Sequence, residues 1–208
     1  MPTLPRPPTD LSPAQFFESW LPDRFAAMIA EAMALRPDGG LPDITATVTL
    51  DGDGGGGGAW TLLCRGGALT VTRGAAPTAD VALVQTVADW RAAVYGEAGA
   101  PDVVPPGGNP IAILASTNQA LIKALRELRG TLRLEMPGFV GRTWALGVAF
   151  QGAAAPEAVI SVDAATVVEI QRGTIPAPQA FFTGKIAMRG DTAFAMQVGM
   201  TLMAQLGA

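Results

Sequence analysis

The sequence predicts an α+β protein, and two patterns carry this prediction. Segments such as 22–33 and 116–128 place apolar residues at the spacing of an amphipathic helix. Segments such as 44–50 alternate apolar and polar residues and end at glycine or proline, which is typical of short strands. With 208 residues, the chain is long enough for a sizeable hydrophobic core in one large domain or two small ones.

Composition excludes several classes of protein. Apolar residues make up 49% and charged residues 15%, so the chain is neither disordered nor fibrous. A net charge of −4 argues against a nucleic-acid partner, because phosphate binding needs a basic face, and it disfavours tight electrostatic docking on anionic lipid. Residues 1–10 lack the apolar core of a secretory signal, and a cytoplasmic location is expected.

The chain contains no histidine and one cysteine, Cys64. Histidine-dependent triads, histidine-ligated zinc and internal disulfides are therefore excluded, and we expect no metal and no cofactor. Any chemistry would have to use carboxylates, lysine, Tyr95 or backbone amides. Cys64 lies on a predicted strand and is interpreted as a buried structural thiol.

The N-terminal part, 1–22, is predicted to be a proline-rich segment with one short helix. Ser12 is placed to cap that helix, with Pro13 in the first turn and Gln15 reaching back to the cap. Pro22 is expected to begin a second helix. Its apolar face would consist of Phe25, Met28, Ile29, Ala32 and Met33.

Four strand patterns follow, near 44–52, 59–67, 68–74 and 79–86. In the first, Ile44, Ala46, Val48 and Leu50 share one face. The glycine run at 54–58 is predicted to be a hairpin tip. A phosphate cradle would need Lys followed by Ser or Thr after the glycines, and Ala59-Trp60 follows instead.

A second set of elements follows a helix at 87–97 and a Pro/Gly loop at 99–110. Ser116 and Gln119 predict a capping box for the next helix. Strands are predicted within 130–152 and 158–163, then a helix from Asp163, a strand at 184–190 and a last helix from Asp191 to about Leu206. Since the last helix contains no charge, we expect it to be buried nearly all round.

The two halves of the chain resemble each other. Thr47, Leu50, Trp60 and Leu62 match Thr131, Leu134, Trp144 and Leu146 at a constant spacing. The sequence thus predicts one domain, 23–208, enlarged by pseudo-repeat halves at about 44–108 and 129–206. The second half lacks a counterpart of the strand at 68–72. Whether 97–158 is an insertion or part of a second half-copy stays open.

The segment AFFTGKIAMRGD (180–191) places Ile186 and Met188 on one face of a strand, and Lys185 and Arg189 on the other. A solvated strand face explains both cations without an anion site. Asp191 then caps the last helix, where its charge is favourable.

AFFTGKIAMRGDTAFAM (180–196) resembles the C-terminal signature of the sterol-carrier-protein family: Ala-Phe, a Gly-Lys-Ile strand, a Gly-Asp corner and a helix. Segments 59–74, 79–97 and 167–182 are also similar to this family. The resemblance implies a mixed, mainly antiparallel sheet with helices packed over one face. It also implies an internal hydrophobic cavity that binds a fatty acyl chain or another lipid, in a protein that carries its ligand and is not an enzyme.

The candidate ligand-binding residues come from two sources. On the last helix, methionines at helical spacing and their neighbours suit an adaptable apolar cavity, and two tryptophans are large enough to wall one. The resemblance adds residues beside that helix. The full set is Trp60, Trp90, Phe181, Phe182, Met188, Phe194, Met196, Gln197, Met200 and Met203.

Two alternatives remain at this point. An enzyme could use the same cavity with a buried carboxylate, for which Asp163, Glu169 and Asp191 are candidates. A ligand-free interaction module would instead dock a partner through its apolar last helix. The expected partner is an apolar small molecule or lipid and no nucleic acid, with transient membrane contact and a monomeric or homodimeric state left open.

Overall fold

The computed structural model describes residues 7–35, 40, 41, 43–52, 56–95, 114, 115, 118–139 and 141–206. Its strands are β1 (Ile44–Asp51), β2 (Gly58–Arg65), β3 (Ala68–Arg73), β4 (Val81–Thr86), β5 (Gly130–Phe139), β6 (Arg142–Phe150), β7 (Glu157–Val162) and β8 (Ile186–Gly190). Its helices are α1 (Pro13–Gln15), α2 (Leu21–Leu35), α3 (Val87–Tyr95), α4 (Gln119–Glu127), α5 (Ala164–Gln171), α6 (Ala177–Phe182) and α7 (Thr192–Leu206), with a π-helical turn at Phe16–Trp20.

The strands form a single open sheet in the order β3-β2-β1-β4-β6-β5-β7-β8. Five neighbouring pairs are antiparallel, and the pairs β1/β4 and β5/β7 are parallel. The predicted α+β class with a mixed, mainly antiparallel sheet is therefore confirmed. None of the helices in the described residues is long and apolar enough to cross a lipid bilayer.

Both halves of the sheet contain the same three-stranded unit. In β2-β1-β4 and in β6-β5-β7, the central strand is antiparallel to one neighbour and parallel to the other. The two hairpins differ in register, since Trp60 lies opposite Val48 whereas Trp144 lies opposite Met136. The arrangement is compatible with the pseudo-repeat, which stays a prediction.

The N-terminal helix is continuous, and the predicted restart at Pro22 is wrong. Helix α1 passes through the π-helical turn directly into α2. In that turn, the backbone N–H of Leu21 bonds to the carbonyl of Phe16, five residues back. The wider turn directly before the proline lets the helix continue past a residue that has no N–H to donate.

The caps agree with the sequence in two of three helices. Ser12 and Gln15 form the predicted capping box, and the Asp191 carboxylate accepts a hydrogen bond from the backbone N–H of Phe194. Helix α4, however, is capped by the Asn118 side chain, and Ser116 lies outside the described residues. Of the predicted tip at 54–58, residues 54 and 55 also lie outside them, and Gly58 already belongs to β2.

Alternation along the strands separates two faces of the sheet. Ile44, Ala46, Val48 and Leu50 are all buried, as predicted, on the face that the helices cover. Phe17 from the N-terminal helix stacks on Trp60 of this face, and Phe194 of α7 contacts Phe150. Cys64 also lies there, fully buried, as expected. Burial, with a smaller contribution from Asp43, raises the pKa of its thiol to about 12.

Asp80 joins β1 and helix α4 at one edge of the core. Its carboxylate accepts hydrogen bonds from the backbone N–H of Thr45 and from the guanidinium of Arg126 on α4, at 2.8 and 2.9 Å. Burial alone would raise the pKa of Asp80. The hydrogen bonds from Arg126 and Thr45 outweigh burial and hold this pKa below its usual value.

We expect Asp80→Asn to lower the free energy of unfolding by about 1–2 kcal/mol at neutral pH. Because the folded-state pKa is depressed, the Asp80 carboxylate stabilises the fold above its unfolded pKa of about 4, and this contribution is lost as the pH falls through the folded value. Urea unfolding of both proteins from pH 7 to pH 3 measures the difference. If the difference in unfolding free energy between the two proteins stays constant down to pH 3, the role assigned to Asp80 is contradicted.

Candidate functional site

The helix-covered face of the sheet is closed in the first half and partly open in the second. In β1, β2 and β4, the residues of this face are buried. In β5, β7 and β8, several apolar residues of the same face remain only half-buried, and all of them except Ile186 pack against the core. These residues, named here the apolar floor, are Leu134, Ile160, Val162, Ile186 and Met188.

The first half is closed by aromatic rings. Phe16 and Phe17 of the N-terminal helix are fully buried and contact Trp90, while Phe17 also stacks on Trp60 at 4.8 Å. Tyr95 packs edge-on against Trp90. This aromatic cluster fills the space above β1 and β2, and it contains two residues predicted from the sequence to line a cavity.

Two helical segments flank the apolar floor. Helix α5, which contacts β5, has Val167 and Val168 half-buried against the core. Helix α7 contacts β7 and β8, and α6 contacts β8. The second half has no counterpart of the long N-terminal helix above its floor among the described residues, because α4 has only nine residues. The strands of the floor are thus contacted by α5 on β5, by α6 on β8 and by α7 on β7 and β8.

Helix α7 is not buried nearly all round, and that prediction is wrong. Phe194, Ala195 and Val198 are buried, but Met196 and Met200 are 50% and 67% exposed. The exposed methionines lie on the side of the helix opposite the buried residues. The buried side of the helix packs against the sheet and α4, and its outer side remains exposed.

The remaining predicted ligand-binding residues are spread over several places. Met188 belongs to the apolar floor, and Gln197 is exposed on α7. Phe181 and Phe182 on α6 are 40% and 84% exposed. Met203 lies within α7, but its side chain is outside the described part. A role of these residues in ligand binding stays a prediction.

The two cations of the 180–191 segment lie at the surface, as the solvated strand face predicts. Lys185 donates to Glu169 on α5 at 2.6 Å, and Arg189 donates to Glu135 on β5 at 2.7 Å. Glu135 is also paired with Arg133. These exposed pairs explain both side chains without an anion.

The three carboxylates considered for catalysis have structural partners. Asp163 caps α5, and the hydrogen bond from the backbone N–H of Thr166 is the main cause that lowers the pKa of its carboxyl. A general acid would need the opposite shift. Glu169 is ion-paired with Lys185, and Asp191 caps α7.

A cavity of about 340 Å³ opens elsewhere, at the carboxyl ends of β1 and β4. Its lining includes Asp51, Thr86 and Arg91. Arg91 donates to the backbone carbonyl of Thr9 at 2.8 Å and stacks on Tyr95, so it secures the N-terminal segment. Asp51 and Arg91 place one charge of each sign at this cavity, beside Val87 and Ala88.

Sequence reasoning missed Leu134, Ile160 and Val162 as candidates. Alternation places them on the helix-covered face, but the same alternation occurs in the closed first half. Within the ranges that the structure describes, the two halves differ in that no long helix lies above these residues, and no local pattern contains that information.

Comparisons with known proteins give one match to a family model. Residues 112–203 match the sequence model of the SCP-2 sterol transfer family. A search of curated proteins finds no match.

Seven solved chains match in structure. Sterol carrier protein 2 from Yarrowia lipolytica, in its apo form, is 15% identical with a TM-score of 0.33, covering 50% of this chain and 87% of its own. Sterol carrier protein 2 like 2 from Aedes aegypti is 11% identical with a TM-score of 0.21, covering 88% of this chain and 94% of its own. The resemblance read from the segment 180–196 is confirmed by the family match, and over residues 112–203 the chain is SCP-2-like.

Proposed function

We propose that this protein binds a lipid or another long apolar molecule above the apolar floor, in a groove between α5–α6 and α7, and acts as its carrier. The observation that carries this proposal is the half-buried apolar floor itself, within the part of the chain that matches the sterol transfer family. Covering such a surface with an acyl chain, a sterol-like ring system or an isoprenoid would remove apolar area from water.

The chemistry of the floor supports a neutral, apolar ligand. On β5, β7 and β8, every residue that points to the helix-covered face is uncharged. This holds along Gly130–Met136, Ala158–Val162 and Ile186–Gly190. The affinity would come from burial, and the ligand would be chosen by length and shape. Of the carboxylates considered for the alternative enzyme, Asp163 has a lowered pKa, which is opposite to the shift that acid catalysis would require.

A single binding site follows from the difference between the halves. The aromatic cluster fills the first half, while the second half keeps its floor open. We infer that, if the two halves are copies, only the second retains a ligand site.

The test is to purify the protein, denature it and identify released small molecules by mass spectrometry, then to titrate the stripped protein with a fluorescent long-chain fatty acid. In Met188→Trp, the indole would occupy the groove, and we expect the affinity to fall by roughly tenfold or more. The matched control is Val84→Trp, which adds the same ring on the opposite face of the sheet, where Val84 is 42% exposed.

Thermal unfolding of both variants checks that they fold. If the two variants bind the fatty acid with equal affinity, the ligand does not lie on the apolar floor. A native protein that releases no apolar molecule and takes up no fatty acid would refute the carrier function.

A further inference from the structure

We propose that Phe194, on the first turn of α7, closes one end of the groove and limits the length of the apolar chain that the protein carries. This inference rests on the proposed binding above the apolar floor and deepens it, because it names the residue that selects among ligands by length. A chain longer than the floor must either leave its tip in solvent or find additional space at the closed end.

The floor ends where burial along its strands changes. On β5, Leu132 is 5% exposed, and Leu134, the next residue on the same face, is half-buried. On β7, Ala158 is fully buried, and Ile160 and Val162 after it are half-buried. Leu132 and Ala158 are neighbours in the parallel pairing of the two strands. The floor is thus closed at this pair and open towards the carboxyl end of β7.

Helix α7 supplies the cover at the closed end. It contacts β7, and Phe194, Ala195 and Val198 on its inner side are all buried. The Phe194 ring packs edge-on against Phe150 of β6 at 6.2 Å. Phe150 lies opposite Gly130, the first residue of β5. Phe194 is the largest of the three buried residues of α7, so its ring is the main filling of the space at the closed end.

Gly130 shows how closely this ring approaches the sheet. A Cβ atom added to Gly130 would lie 2.9 Å from Cζ of Phe194 and 2.6 Å from the carbonyl oxygen of Pro156. Gly130 also has a φ of +131°, which other residues rarely adopt. The Phe194 ring therefore reaches the backbone of β5 with no side chain between them, and removing the ring would open space down to the sheet.

Chain length is a sensitive measure of this space. Each additional buried methylene strengthens binding about fourfold, whereas a methylene that stays in water adds little. Truncating Phe194 to alanine would free a volume that accepts roughly two to four further methylene groups. The affinity of the wild type should therefore reach a plateau as the chain grows, and Phe194→Ala should move that plateau to longer chains.

The experiment is displacement of the fluorescent fatty acid from the full chain by decanoate, dodecanoate, tetradecanoate, hexadecanoate and octadecanoate. In Phe194→Ala, we expect the ratio of the octadecanoate affinity to the dodecanoate affinity to rise by roughly tenfold or more. The matched control is Phe25→Ala, which removes the same ring at a 1% exposed position on α2 and should leave the ratio within about twofold of the wild type. Thermal unfolding checks that both variants are folded.

A second variant tests the same end in the opposite direction and does not depend on the stability of Phe194→Ala. Ile160 is the floor residue next to Ala158 on β7, and Ile160→Phe adds a ring there. We expect the plateau to move to chains that are shorter by roughly two to four carbons. Its matched control, Val84→Phe, adds a ring at an exposed position on the opposite face of the sheet and should leave the plateau where it is.

The inference is overturned if folded Phe194→Ala and Ile160→Phe keep the length profile of the wild type. It is also overturned if the wild-type affinity rises up to octadecanoate without a plateau, since the groove then has no closed end. A change of equal size in Phe25→Ala would assign the effect to a general loosening of the core and overturn it as well. A wild type that takes up none of these acids refutes the carrier function and the inference with it, whereas uptake with an unchanged length profile refutes the inference alone.

Discussion

Replacing Arg142 by methionine is expected to destabilise the protein by about 3–5 kcal/mol, which corresponds to a loss of roughly 10 °C in Tm. The guanidinium of Arg142, at the start of β6, is hydrogen-bonded to the Asp89 carboxylate on α3, and the Asp89 side chain is only 5% exposed. The variant would leave a buried carboxylate without its cation, and desolvation of that charge is the source of the large effect.

The double variant Asp89→Leu/Arg142→Met provides the control. Removing both charges should recover most of the lost stability, because no uncompensated ion remains in the core. Chemical unfolding of the wild type, both single variants and the double variant yields the coupling energy. If Arg142→Met unfolds like the wild type, this pair does not hold the two halves together. Trp144, whose indole donates to the carbonyl of Asp89 at 2.9 Å, would then carry that contact.

Phe17→Ala is expected to cost about 3–5 kcal/mol, because it removes a fully buried ring and leaves a cavity between Phe16, Trp60 and Trp90. If the aromatic cluster only closes the first half, the folded variant should bind the fluorescent fatty acid within about twofold of the wild type. Thermal unfolding and a fatty-acid titration well below the transition measure the two effects.

The opposite result is equally informative. A folded Phe17→Ala protein that no longer binds fatty acid would place the ligand in the first half, where Trp60 and Trp90 lie. Leu35→Ala, at a 64% exposed position on the same helical run, controls for changes in the N-terminal helix that do not touch the cluster.

Much of the fold could be predicted from local chemistry. Alternation at 44–50 identified the buried face of β1, and the Ser12–Gln15 box identified the start of the first helix. The helix start predicted at Pro22 was wrong, because a proline normally interrupts the hydrogen bonds of a helix. No local sequence pattern predicts the π-helical turn that accommodates it. The cap at Asn118 was not predicted, because Ser and Asn are equally good caps and Ser116 lies only two residues before Asn118.

The candidate site was harder to predict. Met188 was singled out from the sequence and lies on the apolar floor, but Leu134, Ile160 and Val162 were not. Met196 and Met200 were expected to be enclosed and are largely exposed, because the absence of charge on a helix does not reveal how many neighbours cover it.

By itself, the sequence determined the class of fold, the faces of its strands, the caps of several helices and the resemblance to sterol carrier proteins, because all of these depend on periodicity, backbone propensity or short motifs. Only the tertiary structure decided which half of the sheet stays open and which side of the last helix is exposed. Burial depends on which elements, distant in sequence, pack over a surface, and the long aromatic helix covers the first half and not the second.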